Sequence, residues 1–516
     1  MIGNQVGKGA IYLFIQIISS MISGYIFLIL LARITTTDII GTFSLLVAIS
    51  EIFANIAVIG LPESIQKFVG RTFLQHKQAD AKVFVIISFV LLSVGIIASC
   101  LVILFLKDWI SNSFGIGFDL VIVVALMVTS YAVYTVLYYI VVASLKTKVL
   151  PIIIIISSVS KVILGLSLVL MGYGILGLAL GYTFFGQILS SVLLAIFIGK
   201  IFKSTKKVTK PEITAREASK SLLVGGIVAW VPLLITTVGI DLGTLVLYNT
   251  YGSHLSGVYF IALAIANAIN AIVHSIFTIS LPVLSSMHDG RKRFVWQAIR
   301  ISAILALPLS CSIIFYSNDI MHLIGPNYEK GSSSLQILLL SSFPIIVLTG
   351  VETLVFSFGQ YRYTLTISLA TSIPRTILYI VLVPIFGITG VAMSYTIGSV
   401  MGLIASIIVA KRIRLAIFWK PLALTLFLPL SLAFLFATFN VNYIIGIVTT
   451  ITITYLLLMK LHVIEKTDGS FFFELMPNKT PNAFVTISNK FGKIIDWFYR
   501  CIYGIMAVNS IMVEKL

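Results

Sequence analysis

Hydrophobic stretches of about 20 residues repeat along almost the whole chain and are separated by short polar segments. A helix of about 20 residues spans the hydrocarbon core of a bilayer, and within lipid it satisfies all of its own backbone hydrogen bonds. The pattern therefore predicts an all-α polytopic membrane protein with about 14 transmembrane helices. They are placed near residues 10–32, 39–61, 83–106, 119–143, 149–171, 175–199, 221–245, 255–281, 298–317, 335–358, 364–385, 388–410, 421–439 and 443–461.

One stretch of this pattern occurs twice. Residues 161–183 and 375–396 each begin with a lone cation, continue through a Gly-Ile-x-Gly turn and end in Tyr-Thr. Six spans separate the two copies, so both enter the membrane in the same sense and form a parallel repeat. The predicted organisation is two pseudo-symmetric six-helix bundles, a cytoplasmic basic linker, two additional helices and a cytoplasmic tail containing an amphipathic helix: 1–199, 221–410, 200–220, 411–461 and 462–516, respectively.

Composition supports this interpretation, because 59% of the residues are hydrophobic and only 10% are charged. A soluble domain carries about a quarter charged residues, so this chain cannot cover a water-facing surface. The three cysteines have no metal-type or paired spacing, and the sequence contains no P-loop or HExxH motif. The sequence predicts no enzyme activity, no metal site and no cofactor.

The net charge of +17 is distributed unevenly among the loops. If the N-terminus is cytoplasmic, 30 of the 35 Lys and Arg residues fall on the cytoplasmic side, and only Arg33, Lys107 and Lys330 lie outside. Such a bias sets membrane orientation, so both termini are predicted to be cytoplasmic. The basic charge is explained by topology, with attraction to membrane lipid as a secondary effect, and no nucleic-acid partner is predicted.

Two cations, Lys161 and Arg375, lie near the middle of their spans. A charge at this depth costs at least about 2.5 kcal/mol, so it usually faces protein or water. One interpretation is a central cationic cavity that receives an anionic group. The alternative is a pair of structural ion pairs, for example with Glu51 or Glu352.

Other polar residues form stripes at helical spacing. They fall into a substrate-binding set of Asn267, Asn270, Tyr131, Tyr134 and Tyr138, and a coupling or ion-pair set of Glu51, Asn55, His274, Glu352 and Asp241. The amide and carboxyl groups are suited to sugar hydroxyls or a coupling cation, and the tyrosines to stacking on sugar rings. Hydrogen bonding and packing between neighbouring helices explain the same stripes equally well.

The number of spans, the parallel repeat, Leu61-Pro-Glu-Ser-Ile-Gln-Lys67 and the Gly-Ile-x-Gly-x-Ala turns together resemble the polysaccharide transporter family. That family includes flippases of O-antigen and other lipid-linked oligosaccharides and belongs to the multidrug/oligosaccharidyl-lipid/polysaccharide exporter superfamily. The resemblance covers roughly residues 1–460 and is carried by architecture rather than by catalytic motifs.

The resemblance implies alternating access through a central cationic cavity in the plasma membrane. The implied substrate is a polyprenyl-phosphate or polyprenyl-pyrophosphate oligosaccharide, moved from the inner to the outer leaflet. Implied partners are membrane lipid and glycan polymerase or glycosyltransferase proteins. A cation-coupled multidrug exporter and a lipid II flippase of the same superfamily remain alternatives; the first is disfavoured by the lack of an acid in the first span.

Overall fold

The computed structural model describes residues 2–75, 77–144, 146–203, 211–287 and 289–464. These residues form helices and connecting turns and contain no β-strand, which confirms the predicted fold class. The amphipathic helix predicted in the tail lies outside the described residues.

The first part of the chain, as far as it is described up to the linker, forms ten α-helices. Their bounds are α1 Ile2–Ile34, α2 Thr37–Val58, α3 Leu61–Leu74, α4 Gln78–Phe105, α5 Lys107–Phe114, α6 Phe118–Ala143, α7 Leu150–Ser160, α8 Leu166–Leu168, α9 Gly174–Gly181 and α10 Leu189–Lys203. Three π-helical segments interrupt the last four, at Lys161–Gly165, Val169–Tyr173 and Tyr182–Ile188.

The described part after the linker contains nine further α-helices. Their bounds are α11 Ala215–Ser286, α12 Arg291–Phe315, α13 Ser317–Ile324, α14 Ser332–Leu340, α15 Ser342–Ser357, α16 Tyr361–Phe386, α17 Ile388–Arg412, α18 Trp419–Thr438 and α19 Tyr443–Lys460. The short helices α3, α5 and α13 were not predicted from the sequence, because 8 to 14 residues are too few to produce a membrane-length hydrophobic run.

Within the described residues, twelve helical stretches are long and apolar enough to cross a membrane. Two of them, Thr147–Lys203 and Ala215–Ser285, contain 57 and 71 residues, more than twice the length of one span. Each is broken at a glycine whose backbone leaves helical geometry, Gly172 (φ 91°, ψ 5°) and Gly252 (φ 78°, ψ −171°). Each stretch therefore provides two spans, which agrees with the predicted count of about 14.

The distribution of side chains is that of a protein surrounded by lipid. Large hydrophobic side chains are exposed along the outer faces of the spans, for example Val94, Ile380 and Phe427. Between the helices lie many buried small polar residues, such as Ser44, Ser256 and Ser394. Because lipid tails are as apolar as leucine, small residues that permit close packing and interhelical hydrogen bonds hold such helices together.

Candidate functional site

The site lies between α2 and α11, which cross twice. Near the start of α2, Gly41 packs against the second segment of α11 at Gly257. A Cβ on Gly41 would overlap the carbonyl oxygen of Ser253, and a Cβ on Gly257 would overlap that of Thr37. The two positions are equivalent in the repeat, so the contact is reciprocal. Only glycine allows the two backbones to approach this closely.

Hydrogen bonds surround this first contact, which we call the glycine contact of the outer end, following the predicted orientation. Thr37 Oγ1 lies 2.6 Å from His254 Nδ1, and Ser253 donates to a carboxylate oxygen of Asp38. The second Asp38 oxygen lies 3.8 Å from His254 Nδ1. This end of the interface is therefore closed by backbone packing and by a small polar network.

A second glycine contact closes the opposite, inner end. Gly60, which has a positive φ of 71°, lies against Gly226 on the first segment of α11. Ser64 on α3 donates a hydrogen bond of 2.5 Å to the carbonyl oxygen of Leu222. Further along, Trp230 Nε1 donates to the carbonyl oxygen of Asn55 at 2.7 Å.

A cavity of about 340 Å³ lies beside this interface. Its polar and aromatic lining comes from α2, α3, α6 and α11: Glu51, Asn55, Glu63, Tyr131, Tyr134, Thr135, Tyr138, Tyr139, Trp230 and Thr237, with Val58, Pro62 and Leu233. The structure thus brings together five of the predicted site residues, the two polar residues of α2 and the three tyrosines of α6. The sequence analysis missed Trp230 and Thr237, whose place in the lining depends on the packing of α11 against α2.

A second cavity of about 370 Å³ lies between α1 and the second segment of α11. It is lined by Gln16, Ile17, Ser20, Met21, Gly24, Tyr25, Leu28 and Ala264. Tyr138 donates a hydrogen bond of 2.8 Å to Gln16 Oε1, so one side chain from each cavity lining joins the two.

Lys161 begins the π-helical segment after α7 and is partly exposed. Its Nζ lies 5.0 Å from the ring centroid of Phe27 and 5.1 Å from that of Tyr182. Throughout the described chain it has neither a hydrogen bond nor an ion pair.

Arg375 on α16 is almost fully buried, with 3% of its surface exposed. Its guanidinium lies 4.2 Å from the ring centroid of Tyr395, and one terminal nitrogen donates to Ser399 Oγ at 3.0 Å. Of the described residues, none pairs a carboxylate with Arg375, so the suggested ion pair with Glu352 is not formed. Neither Arg375 nor Lys161 lines the two cavities described above.

The remaining predicted residues are dispersed. Asp241 on α11 lies within electrostatic range of Glu51, and one of its carboxylate oxygens is buried without a partner among the described residues. Asn270 is buried, and its amide likewise lacks a partner there. Asn267, His274 and Glu352 line neither cavity.

Comparison with known proteins decides the family. A family model described as "Polysaccharide biosynthesis protein" matches residues 6–288, more than half of the chain. The chain belongs to the polysaccharide biosynthesis protein family. This confirms the resemblance noted from the sequence.

A curated relative of this family member is "Probable flippase AglR" from Haloferax volcanii. The two are 24% identical over 241 residues, which is 44% of this chain. The chain spans about half the length of that relative, 49%.

Solved structures of similar fold are those of flippases and transporters. "Lipid II flippase MurJ, inward closed conformation" has a TM-score of 0.60 at 16% identity, covering 85% of this chain and 100% of that one. The MATE multidrug transporter DinF-BH has a TM-score of 0.58 at 14% identity, covering 80% and 96%. The Vibrio cholerae MATE transporter VcmN gives 0.57 at 14% identity, covering 79% and 96%. These proteins are named as flippases or transporters rather than enzymes, in agreement with the prediction that this chain is not an enzyme.

Proposed function

We propose that this multi-pass membrane protein is a flippase for a polyprenyl-(pyro)phosphate-linked oligosaccharide, which it moves from the inner to the outer leaflet of the plasma membrane. The observation that carries the proposal is the enclosed cavity between α2 and α11, lined by four tyrosines and Trp230. Membership of the polysaccharide biosynthesis protein family and the similarity to a probable flippase support it.

The cavity chemistry suits a carbohydrate. Aromatic rings offer large apolar faces together with a polar group, and Glu51 and Asn55 supply acceptors and a donor for hydroxyls. The volume lies at the lower end of the range for small-molecule sites, which matches one or a few sugar units. The polyprenyl chain would remain in lipid while the sugars cross.

Alternating access follows from the two glycine contacts. In our proposal, residues 1–199 and 221–410 move as two bodies, and each contact acts as a gate at one end of their interface. Separation at Gly60 and Gly226 opens the cavity toward one side, and separation at Gly41 and Gly257 opens it toward the other. The structure has both contacts formed and therefore corresponds to a closed state.

Cells that lack the protein test the substrate. We expect loss of a surface glycan and accumulation of its polyprenyl-linked precursor in the inner leaflet, measured by mass spectrometry of extracted lipids. A glycan polymerase or glycosyltransferase that uses the flipped product is the partner class this predicts. Unchanged glycans combined with accumulation of cationic dyes would instead indicate a drug exporter, and accumulation of lipid II would indicate a lipid II flippase.

Complementation of these cells tests the cavity itself. Tyr134→Leu keeps an apolar side chain but removes the aromatic face, and it should lower glycan export about fivefold or more, since one stacking contact contributes about 1 kcal/mol. Tyr173→Leu is the matched control, because Tyr173 is 62% exposed on the outer surface. Equal export by the two variants at equal expression would contradict a saccharide site in this cavity.

A further inference from the structure

The duplicated stretch places a tyrosine beneath each of the two mid-membrane cations. Lys161 lies over Tyr182, and Arg375 lies over Tyr395, the residue at the equivalent point of the second copy. A glycine one turn later faces the same cation in both: a Cβ on Gly186 would lie 3.3 Å from Lys161 Cδ, and one on Gly398 would lie 2.7 Å from Arg375 Cβ. The repeat therefore encodes a three-residue unit of cation, aromatic ring and glycine.

The two copies differ in how many partners the cation has. Arg375 has the Tyr395 ring, Ser399 Oγ and, at 3.4 Å, the Tyr395 carbonyl oxygen as partners, although its Nε has none among the described residues, and it is inaccessible. Lys161 has two aromatic rings and, within the described residues, no oxygen partner. A charged group at this depth normally pairs with an opposite charge or with carbonyl groups, so the ammonium of Lys161 lacks its counter-ion.

The backbone differs as well. Lys161 and Tyr182 are each the first residue of a π-helical segment, whereas Arg375 and Tyr395 lie in uninterrupted α-helices. Short π-helical segments are rare and occur frequently at functional sites. This independent feature distinguishes the same copy that the missing counter-ion does.

Two rings around an ammonium form an aromatic cage, which holds a cation by about 0.5–2 kcal/mol without neutralising it. A phosphate oxygen would gain a charge-assisted hydrogen bond that no described residue now supplies. Tyr182 also lies within electrostatic range of Glu51, which places the cage next to the lining of the 340 Å³ cavity.

We propose that Lys161 is the anion-binding cation of this closed state, and that Phe27 and Tyr182 hold it ready for the phosphate or pyrophosphate of a lipid-linked ligand. Arg375 is a structural cation in this state. Tyr182 is a positioning residue, since it acts through Lys161. This inference rests on the proposed function, because it names the group that would bind the anionic part of the substrate.

The test measures binding of farnesyl diphosphate, a soluble isoprenyl diphosphate, to the full chain in phosphatidylcholine nanodiscs. We expect Lys161→Gln to weaken binding at least tenfold and Lys161→Arg to retain it within about threefold. Arg375→Lys, which keeps the charge but loses the Ser399 geometry, should lower the thermal stability and change affinity by less than about threefold. Equal weakening by Lys161→Gln and Arg375→Lys would overturn the assignment, as would full binding by Lys161→Gln.

The positioning role of Tyr182 has its own readout. Tyr182→Phe keeps the ring and should bind like the wild type, whereas Tyr182→Leu should weaken binding about three- to thirtyfold, in line with the loss of one cation–π contact. A purely structural role predicts equal affinity for the two variants at equal thermal stability, and that result would overturn the cage.

Further arms separate the sources of the anion and separate this inference from the function. Binding should persist in nanodiscs that contain phosphatidylglycerol; competition by that lipid would show a headgroup site and overturn the proposal. If wild-type protein does not bind farnesyl diphosphate although cells lacking the protein lose a glycan, the inference fails and the flippase function stands. If those cells lose no glycan and accumulate no precursor, the function itself fails.

Discussion

Asp80, a single carboxylate at the start of α4, fixes the end of the linker that precedes α11. It is 3% exposed and accepts hydrogen bonds from the backbone N–H groups of Glu212, at 2.8 Å, and Ile213, at 3.3 Å. Beside it the exposed side chains of Lys77 and Glu212 form an ion pair. The Glu212 carboxylate raises the pKa of Lys77, so this pair persists at neutral pH and is lost only as the pH rises through that raised value.

Replacing Asp80 should therefore have a larger effect than breaking the neighbouring ion pair. Asp80→Ala leaves two backbone donors unpaired and should cost about 1–3 kcal/mol, whereas Asp80→Asn keeps an acceptor oxygen and should cost less. Lys77→Ala is the control and should leave stability almost unchanged, because exposed ion pairs contribute little. Thermal unfolding in detergent measures all three. An Asp80→Ala protein as stable as Lys77→Ala would show that the linker is not held by this carboxylate.

At the residue scale, the sequence identified the cations but not their partners. It placed Lys161 and Arg375 at related positions, and the structure gives each a tyrosine from the following span. That tyrosine belongs to the repeated Tyr-Thr ending, which looked like helix packing because residues 21 and 20 positions apart along the chain carry no mutual spacing signal. Only the antiparallel packing of the two spans brings ring and cation together.

At the element scale, the spans themselves follow closely from the sequence. The predicted spans 119–143 and 364–385 correspond to Phe118–Ala143 and Tyr361–Phe386. The contacts between spans do not follow in the same way. Gly41 and Gly257 were noted only as an echo between the two copies, and the structure shows that they pack on each other.

The two glycine contacts predict opposite effects of one extra methyl group. Gly257→Ala should prevent closure at one end and Gly226→Ala at the other, each by an overlap that costs about 1–3 kcal/mol to relieve. We would place a reporter in the cavity by Thr237→Cys, with the native cysteines replaced, and label it with a membrane-impermeant thiol reagent added to either side. Gly257→Ala should increase labelling from outside and Gly226→Ala from the cytoplasm. An increase from the same side in both variants would contradict the assignment of two separate gates.

At the scale of the whole molecule, orientation remains a prediction from the distribution of Lys and Arg. It decides which glycine contact faces the cytoplasm, and hence the direction of transport. The structure places Lys292 in the turn before α12 and Lys330 in the segment before α14, at opposite ends of the α12 span.

Labelling these two positions tests the orientation. Lys330→Cys should react with an impermeant thiol reagent in intact cells, and Lys292→Cys should react only after permeabilisation, because the cytoplasmic side carries the cationic loops. The two variants control for each other, since both introduce one cysteine in place of an exposed or partly exposed lysine. The reverse pattern would invert the membrane orientation and exchange the inner and outer gates.

The sequence by itself determined helicity, the positions of the spans and the family architecture. The physical reason is local: each span must satisfy its backbone hydrogen bonds within itself, and its length must match the bilayer. The tertiary structure alone decided which residues meet. Contacts such as Gly60 with Gly226, Trp230 with Asn55 and Tyr182 with Lys161 depend on lateral packing of small residues in lipid, where no hydrophobic periodicity marks the partner face. For that reason the sequence predicted one cavity with two equivalent cations, whereas the structure has one arginine hydrogen-bonded to Ser399 and one lysine without a counter-ion among the described residues.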